Sequence, residues 1–507
     1  MLTVCPYFHV HQPYRVKHYR VFDIGHDTEY FNDAGMSDLN NRRIIEKVAE
    51  KSYRPTNRVL KHLLDTHPDF RFNLSFSGTV LEQFEEYAPD VLESFQELIA
   101  TGRVEILADT YHHSLAFFYS VPEFERQVRQ HERKVKKLFG VKPRVFRNTE
   151  LSYRNDLAHW CERNGYAGIM AEGWDKYLGW RSPNFLYHPP GCQKIKVLLK
   201  NYKLSDDVAF RFGNREWTNY PLSADTYANW IHAHHGDGQT VNLFMDYESF
   251  GEHQWEDTGI FEFLKALPEM VLRHPDTSFK TATETVESYD AIGEYDVPDV
   301  LTWADVDRDL TAWVGNDIQR DAIAAAYGLE ESVMATRKRD LIELWRKLQT
   351  SDHFYYMCTK WSEDGDVHAY FSPYQSPYDA YIAYMNALSD LQLRVNAALA
   401  AKTARSGAKA TTAAEEIAAA DAAAAATPAR DEPGLEKSGR GEWRDRSAPE
   451  TAREARQEEE EEEEEVVEEE REATAEPPAV EERPVPSPWW APVRRAWNRL
   501  AAKMPFR

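Results

Sequence analysis

Cysteine is scarce: Cys5, Cys161, Cys192 and Cys358 are the four in 507 residues, and no CxxC pair occurs. That scatter excludes a disulfide framework and a cysteine zinc site, and leaves reduced, mostly buried thiols as the reading. Long apolar runs are missing as well. No stretch of about 18 apolar residues occurs, so no transmembrane helix is expected. The opening Met-Leu-Thr-Val-Cys lacks the charged region and apolar stretch of a secretory signal, and a cytoplasmic address is the expectation. Positive charge is in short supply: 60 Lys+Arg face 84 Asp+Glu, a net charge of -24, with no basic stripe in the first 400 residues. Such a chain is not built to grip nucleic acid through its phosphates, and neutral or cationic ligands suit it better.

Aromatic residues, by contrast, are plentiful. A share of 13%, with 14 Trp and 26 Tyr, rules out a chain that is disordered throughout and supplies a large core. The length suggests two to four domains. Composition changes abruptly near residue 400, where Ala, Glu, Arg and Pro replace the aromatics. The stretch from Ala401 onward holds 17 Lys+Arg and 25 Asp+Glu, so it carries -8 of the charge. At its centre lies the Glu458 to Glu465 run, a like-charged block that repels itself and stays solvated. Residues 401–486 therefore read as a disordered acidic tail. Residues 487–507 differ again: Trp489, Trp490 and Trp497 alternate with Arg494, Arg495 and Arg499. Two expectations stand for this end, an amphipathic basic helix able to dock on a protein or anionic membrane, and a frayed terminus.

Within the body, short apolar runs alternate with helical patterns, the signature of βα units and an α/β fold. Strands are expected at Leu2 to Phe8, Arg71 to Phe76, Val104 to Ala108, Arg144 to Arg147, Gly168 to Ala171, Lys196 to Leu199 and Val241 to Met245. Between the fourth and fifth, Asn155 reads as a helix N-cap and Asn164-Gly165 as the stop. Strand signals fade after about residue 300. Asp317 to Leu348 and Asp379 to Thr403 then read as two long helices. Residues 1–295 thus form an α/β unit and 296–400 a helical region.

The polar clusters fall at strand ends. The first strand runs into His9-Val10-His11-Gln12-Pro13, and the third into Asp109-Thr110-Tyr111-His112-His113. The fourth gives Arg147-Asn148-Thr149-Glu150, and the strand from Val241 ends in Asp246-Tyr247-Glu248. Were these strands parallel in a barrel, all four clusters would meet on the face where such folds hold their chemistry. A lone Glu after a strand is commonly a helix cap or a surface charge, and Glu150 taken singly carries that reading. Asp246 directly follows an apolar run, where an unpaired carboxylate is costly, so pairing or catalysis is favoured. The strand end is expected to turn His9 and His11 to opposite faces, and His11, beside Gln12-Pro13, is taken for the cleft. Trp174, Trp180, Trp303 and Trp313 are candidate sugar platforms, with core packing as the alternative. Two carboxylates on one cleft suggest glycosidic bond cleavage, one attacking the anomeric carbon and the other protonating the leaving oxygen.

Five segments in order carry a resemblance. His11-Gln12-Pro13, Gly102-Arg103-Val104-Glu105-Ile106, Phe146-Arg147-Asn148-Thr149-Glu150 and Met245-Asp246-Tyr247-Glu248 resemble the ordered motifs of glycoside hydrolase family 57. Trp303-Ala304-Asp305, continuing through Asp309, Trp313, Gly315 and Asn316, is similar to the segment that α-amylase members carry after the barrel. The resemblance spans residues 1 to about 400, and the tail has no counterpart in it. It implies an incomplete seven-stranded (β/α) barrel followed by a helical region, acting on α-glucans with retention and without a metal or other cofactor. Carried over by position, Glu150 is the nucleophile and Asp246 the general acid/base. His11 and Glu105 bind sugar, and Trp303 and Asp305 reach in from the segment after the barrel. His113 and Arg147 join them from their places at strand ends.

The physical roles then set two expectations. Arg147 or protonated His11 should hold Glu150 ionised, and burial beside Glu248 should raise Asp246. An α-amylase is the leading reading. A 4-α-glucanotransferase or branching enzyme would use the same site. A metal-dependent polysaccharide deacetylase and a non-catalytic glucan-binding protein stand behind them.

Overall fold

The computed structural model describes residues 1–425 apart from Met36. The acidic run and the basic aromatic end lie outside the described residues. One compact unit, Met1–Ala420, contains everything discussed below.

Eight parallel strands organise the first 280 residues: β1 (Leu2–Val10), β2 (Phe72–Phe76), β3 (Val104–Ile106), β4 (Val145–Phe146), β5 (Gly168–Glu172), β6 (Lys196–Lys200), β7 (Thr240–Asp246) and β8 (Thr277–Phe279). Seven match the apolar runs read from the sequence, and β8, only three residues long, was not anticipated. Hydrogen-bonded order is β3-β2-β1-β7 in one sheet and β4-β5-β6 in the other. Two seams join them. A parallel bridge Ala108–Phe146 links β3 to β4, with Arg147 N–H donating to Ala108 O at 2.9 Å. Across the other seam Asn201 N–H donates to Asn242 O at 2.9 Å, and Asn242 Nδ2 to Leu199 O at 2.8 Å. The result is an incomplete seven-stranded (β/α) barrel. β8 pairs with the start of β1 at Leu2–Val4, below the stretch Tyr7–Val10 that pairs with β2.

β1 shows why these runs read as strands. All nine residues are buried, because both faces are covered. Leu2, Val4, Phe8 and Val10 pack outward against helices, whereas Cys5 and Tyr7 point into a small barrel interior with Phe244, Leu198 and Met170. The interior is closed below by the Ala282–Ser288 helix, whose Ala282 and Val286 fill it. Thr281 and Glu284 form a capping box at the start of that helix.

The Asn155–Arg163 helix starts where expected, but its N-cap is Arg154. Asn155 is diverted: its amide bonds Val297 N–H at 2.9 Å and Asp296 at 2.7 Å, pinning the segment that leaves the barrel. Gly165, with φ +81, ends the helix as read from the sequence. The expected single helix over Asp317 to Leu348 is three: Asp317–Gly328, Glu330–Thr336 and Arg339–Lys347. Arg337, left-handed at φ +55, makes the second break. The last helix, Pro377–Ala425, runs on through residues 401–425, part of the stretch expected to be disordered. Alanine has the highest helix propensity, and that stretch is alanine-rich.

Candidate active site

Because every strand is parallel, the residues following β1, β3, β4 and β7 share one face. The structure brings His9, His11, His113, Arg147, Glu150 and Asp246 there. Residues two apart on a strand share a face, so His9 and His11 do not diverge as expected. Their rings stack at 5.7 Å, and His113 lies 3.9 Å from His11 and 5.0 Å from His9 between ring centres.

Arg147 is fully buried and donates to Asp109 at 3.2 Å and to His113 Nε2 at 3.4 Å. A guanidinium only donates, so His113 Nε2 is an acceptor and its proton sits on Nδ1, facing Ser351 Oγ at 3.0 Å. Burial pushes the His113 pKa down to about 3, so the ring is neutral. Its Nε2 lies 3.8 Å from Glu150 Oε1. The other oxygen of Glu150 accepts the Trp303 indole N–H at 2.8 Å, and Trp303 N–H also bonds the Glu150 carbonyl at 3.2 Å. Glu150 and Leu151 are consecutive left-handed residues, φ +59 and +49. Two such non-glycine residues in a row store strain, a mark of sites where geometry is over-determined. Hydrogen bonds between Tyr153 and Leu301, 2.7 and 2.9 Å in the two directions, zip this turn to the segment carrying Trp303.

The helical region supplies a further carboxylate. Asp352 accepts His11 Nε2–H at 3.0 Å and lies 3.6 Å from His113 Nδ1. Burial alone would raise its pKa, but the two imidazoles more than offset this and hold its carboxyl well below the usual range. Nothing in the residues around Asp352 signalled it, since it opens a five-residue helix far from any strand. Lys200 was also missed, although it obeys the strand-end logic. It ends β6, bonds Asp206 at 2.9 Å, pairs with Glu172 of β5 at 3.6 Å, and sits 5.5 Å from the Trp303 ring centre.

The expected pKa pattern is not what the structure gives. Burial raises Glu150 to about 8, outweighing Arg147, and Asp352 and Asp246 push it further in the same direction. Asp246 is raised too, again by burial, with His253, Arg147, Lys200 and His11 pulling it back. Glu248 goes up to about 8 through burial and the Asp246 charge, and bonds Tyr53. Desolvation therefore dominates both carboxylates, whereas the sequence suggested opposite shifts. Both carboxyls are thus pushed toward their protonated forms by burial.

Two expected site residues are elsewhere. Glu105 accepts Thr283 N–H at 2.8 Å and its hydroxyl at 2.5 Å, capping the helix that plugs the barrel floor. It precedes Asp109 by four residues, about 13 Å along an extended chain, so it does not reach the cleft end of the barrel. Asp305 is engaged by Lys360 at 2.8 Å and His368 at 3.1 Å, and those bonds outweigh burial to lower its pKa. Of the candidate platforms, Trp313 is core, Trp180 is 95% exposed, and Trp174 is half-buried near Lys176 and Arg308. A surface pocket of about 220 Å³ lined by Phe212, Tyr220 and Phe263 shares no residue with the cluster.

Ring nitrogens of His9, His11 and His113 lie within 4.8 Å of one another, a grouping that invites a metal. The rings, however, are tilted by only 16–19° to one another, so their lone pairs run side by side instead of converging. His11 Nδ1 is taken by Ser77 Oγ at 2.7 Å, and a cation at His113 Nε2 would have to displace the Arg147 guanidinium. The donor set does not fit a three-histidine metal centre.

A parallel barrel that gathers carboxylates, a buried arginine and an indole at the C-terminal ends of its strands has the layout of an α/β-barrel enzyme. Residues 7–299 match the Glycosyl hydrolase family 57 profile, and the chain belongs to that family of glycoside hydrolases. It is 39% identical over 404 residues to a Methanocaldococcus jannaschii protein named "Putative alpha-amylase", covering 78% of this chain and 85% of the relative. Its fold is similar to a GH57-type branching enzyme of Pyrococcus horikoshii, with TM-score 0.54, 16% identity, and 73% and 87% of the two chains covered. It is also similar to a 4-alpha-glucanotransferase of Thermococcus litoralis, with TM-score 0.52, 16% identity, and 70% and 56% covered.

Proposed function

We propose that the protein is a retaining enzyme of α-1,4-glucans, of the α-amylase type, with Glu150 as nucleophile and Asp246 as general acid/base. The observation that carries this reading is the placement of Glu150: a strained turn, fixed on one oxygen by Trp303 and flanked on the other by neutral His113. Its carboxylate is held as a reacting group must be. In the first step, an oxygen of ionised Glu150 bonds to the anomeric carbon, the glycosidic C–O bond breaks, and the Asp246 proton passes to the leaving oxygen. In the second, water gives a proton to Asp246 and its oxygen displaces Glu150. The mechanism requires the proton on Asp246 and none on Glu150 when the glucan is bound. Arg147, whose Nε and Nη2 have no hydrogen-bond partner, has donors left for sugar hydroxyls.

Glu150→Ala is expected to abolish release of reducing ends, about 10⁴-fold or more, while glucan binding persists. Unchanged turnover would overturn the assignment. The anomer first formed, followed by NMR, should be α, and a β product would overturn retention. If a sugar hydroxyl replaces water in the second step, the same site performs 4-α-glucan transfer or branching. Products longer than the substrate from maltoheptaose, or new α-1,6 linkages, would select those readings. A cytoplasmic setting belongs to the same proposal, supported by four buried free cysteines. Among the described residues, no helix is long and apolar enough to cross a membrane.

A further inference from the structure

One group of rings at the mouth has no part in bond cleavage. The Ser362–Phe371 helix ends in Tyr370, 61% exposed, and Phe371, 37% exposed. It is fastened across the mouth on two sides. On one, His368 bonds the carboxylate of Asp305, two residues beyond the Trp303 that holds Glu150. On the other, the Tyr370 hydroxyl lies 3.4 Å from His253 Nδ1, and the Phe371 ring centre 5.4 Å from that of His253. His253 stands on the loop that follows Asp246. The helix thus touches the segment behind each catalytic carboxylate.

The rings are continuous from the cleft outward. Tyr355, one turn after Asp352 and half-buried, stacks on His368 at 3.8 Å and lies 6.4 Å from Phe371, which is 5.1 Å from Tyr370. Trp255, two residues beyond His253, is 59% exposed alongside. Singly exposed aromatics are ordinary, but a connected set opening from a polar cleft is the form of a ligand surface. Charge selects the ligand. Asp305, which borders the strip, is neutralised by Lys360 and His368, so beside it the strip offers ring faces and a phenol. That chemistry suits a neutral sugar, whose C–H face packs on rings while its hydroxyls remain wet.

We propose that Tyr355, Phe371 and Tyr370, with His253, form an outer binding site for glucosyl units of the chain whose reacting bond lies between Glu150 and Asp246. This rests on the α-glucan reading above and adds a chain-length preference to it. Native electrophoresis through gels containing glycogen tests it without requiring turnover. The wild-type protein is expected to be retarded, and the Tyr370→Ala/Phe371→Ala double variant to bind about tenfold more weakly. Both side chains are exposed, so the fold should survive, and a melting curve checks this. A wild type that runs unretarded, or a variant retarded equally, overturns the outer site. So does a variant whose mobility changes equally without glycogen, which would assign the rings to a protein contact. Kinetics supply the second arm. The variant should lose about tenfold in kcat/KM on long amylose chains and about twofold on maltotriose. Equal losses on both would mean that the rings only support the mouth. Glycogen retention with no product from any α-glucan would leave the binding strip standing and overturn the catalytic reading instead.

Discussion

In the barrel, a residue's place at the end of a strand determines whether it reaches the cleft; in the helical region, hydrogen bonds between loops distant in sequence determine it. His11, Arg147 and Asp246 belong to the first kind. Trp303 and Asp352 belong to the second, and each closes on a barrel residue through specific bonds: Trp303 on Glu150, and Asp352 on His11 and His113. The contrast teaches that the barrel alone places the cleft side chains without fixing them. Their orientation is completed by side chains that arrive 153 to 341 residues later, held there by the Tyr153–Leu301 pairing and by the bond from Ser351 N–H to His113 O at 2.9 Å.

The comparison can be broken most sharply at Asp352. Asp352→Asn keeps the size but removes the charge that holds two imidazoles. If the helical region orients the barrel's site, kcat should fall about 100-fold with KM little changed, and the pH profile should shift, because the negative charge beside His113 is lost while a neutral acceptor remains. A purely structural residue would lower stability and leave the pH profile in place. Trp303→Phe is next. It removes one hydrogen bond to Glu150 and leaves an aromatic ring beside Arg147 and Lys200, so a loss of about tenfold in kcat is expected. A rise in KM alone would instead make Trp303 a sugar platform, the role its motif suggested.

Glu105 offers the reverse case, a barrel residue whose motif implied sugar binding and whose position denies it. Glu105→Gln should cost about 1.5 kcal/mol of stability by weakening its bonds to Thr283, with kcat/KM within about twofold of wild type at a temperature where both are folded. The pair Glu105 and Asp352 shows what was legible. β1, β2, β5, β6 and β7 could be read because strands buried on both faces are near-continuous apolar runs, and strand ends then gave Glu150 and Asp246 as candidates. Glu105 was misplaced because its motif spans a whole strand, and only the strand's C-terminal end faces the cleft. Asp352 left no local trace at all, since a Thr-Ser-Asp stretch opening a short helix looks like any other helix start. The histidine stack was within reach, because residues two apart on a strand share a face. The direction of the Glu150 shift was not, because desolvation depends on the completed enclosure rather than on which charge stands next in sequence.

That shift allows the two regions to be compared through stability as well as activity. Glu150 is raised from its ordinary carboxyl value to about 8 by burial, to which the charge of Asp352 from the helical region adds. Between those values the folded protein binds more protons at this site than the unfolded chain, so the contribution of Glu150 to stability falls as pH rises through that window. Glu150→Gln cannot ionise. Its gain over wild type should be small near pH 4.5 and grow to about 1 to 2 kcal/mol by pH 8, read as a widening gap in melting temperature. Asp109 and Glu248, also raised, tilt both proteins alike and cancel in the difference. In the Trp303→Phe background the carboxylate loses a hydrogen bond that lowers its pKa, so the widening should grow. A gap that stays constant with pH would mean that Glu150 titrates as an open carboxylate. The helical region would then position Glu150 without desolvating it.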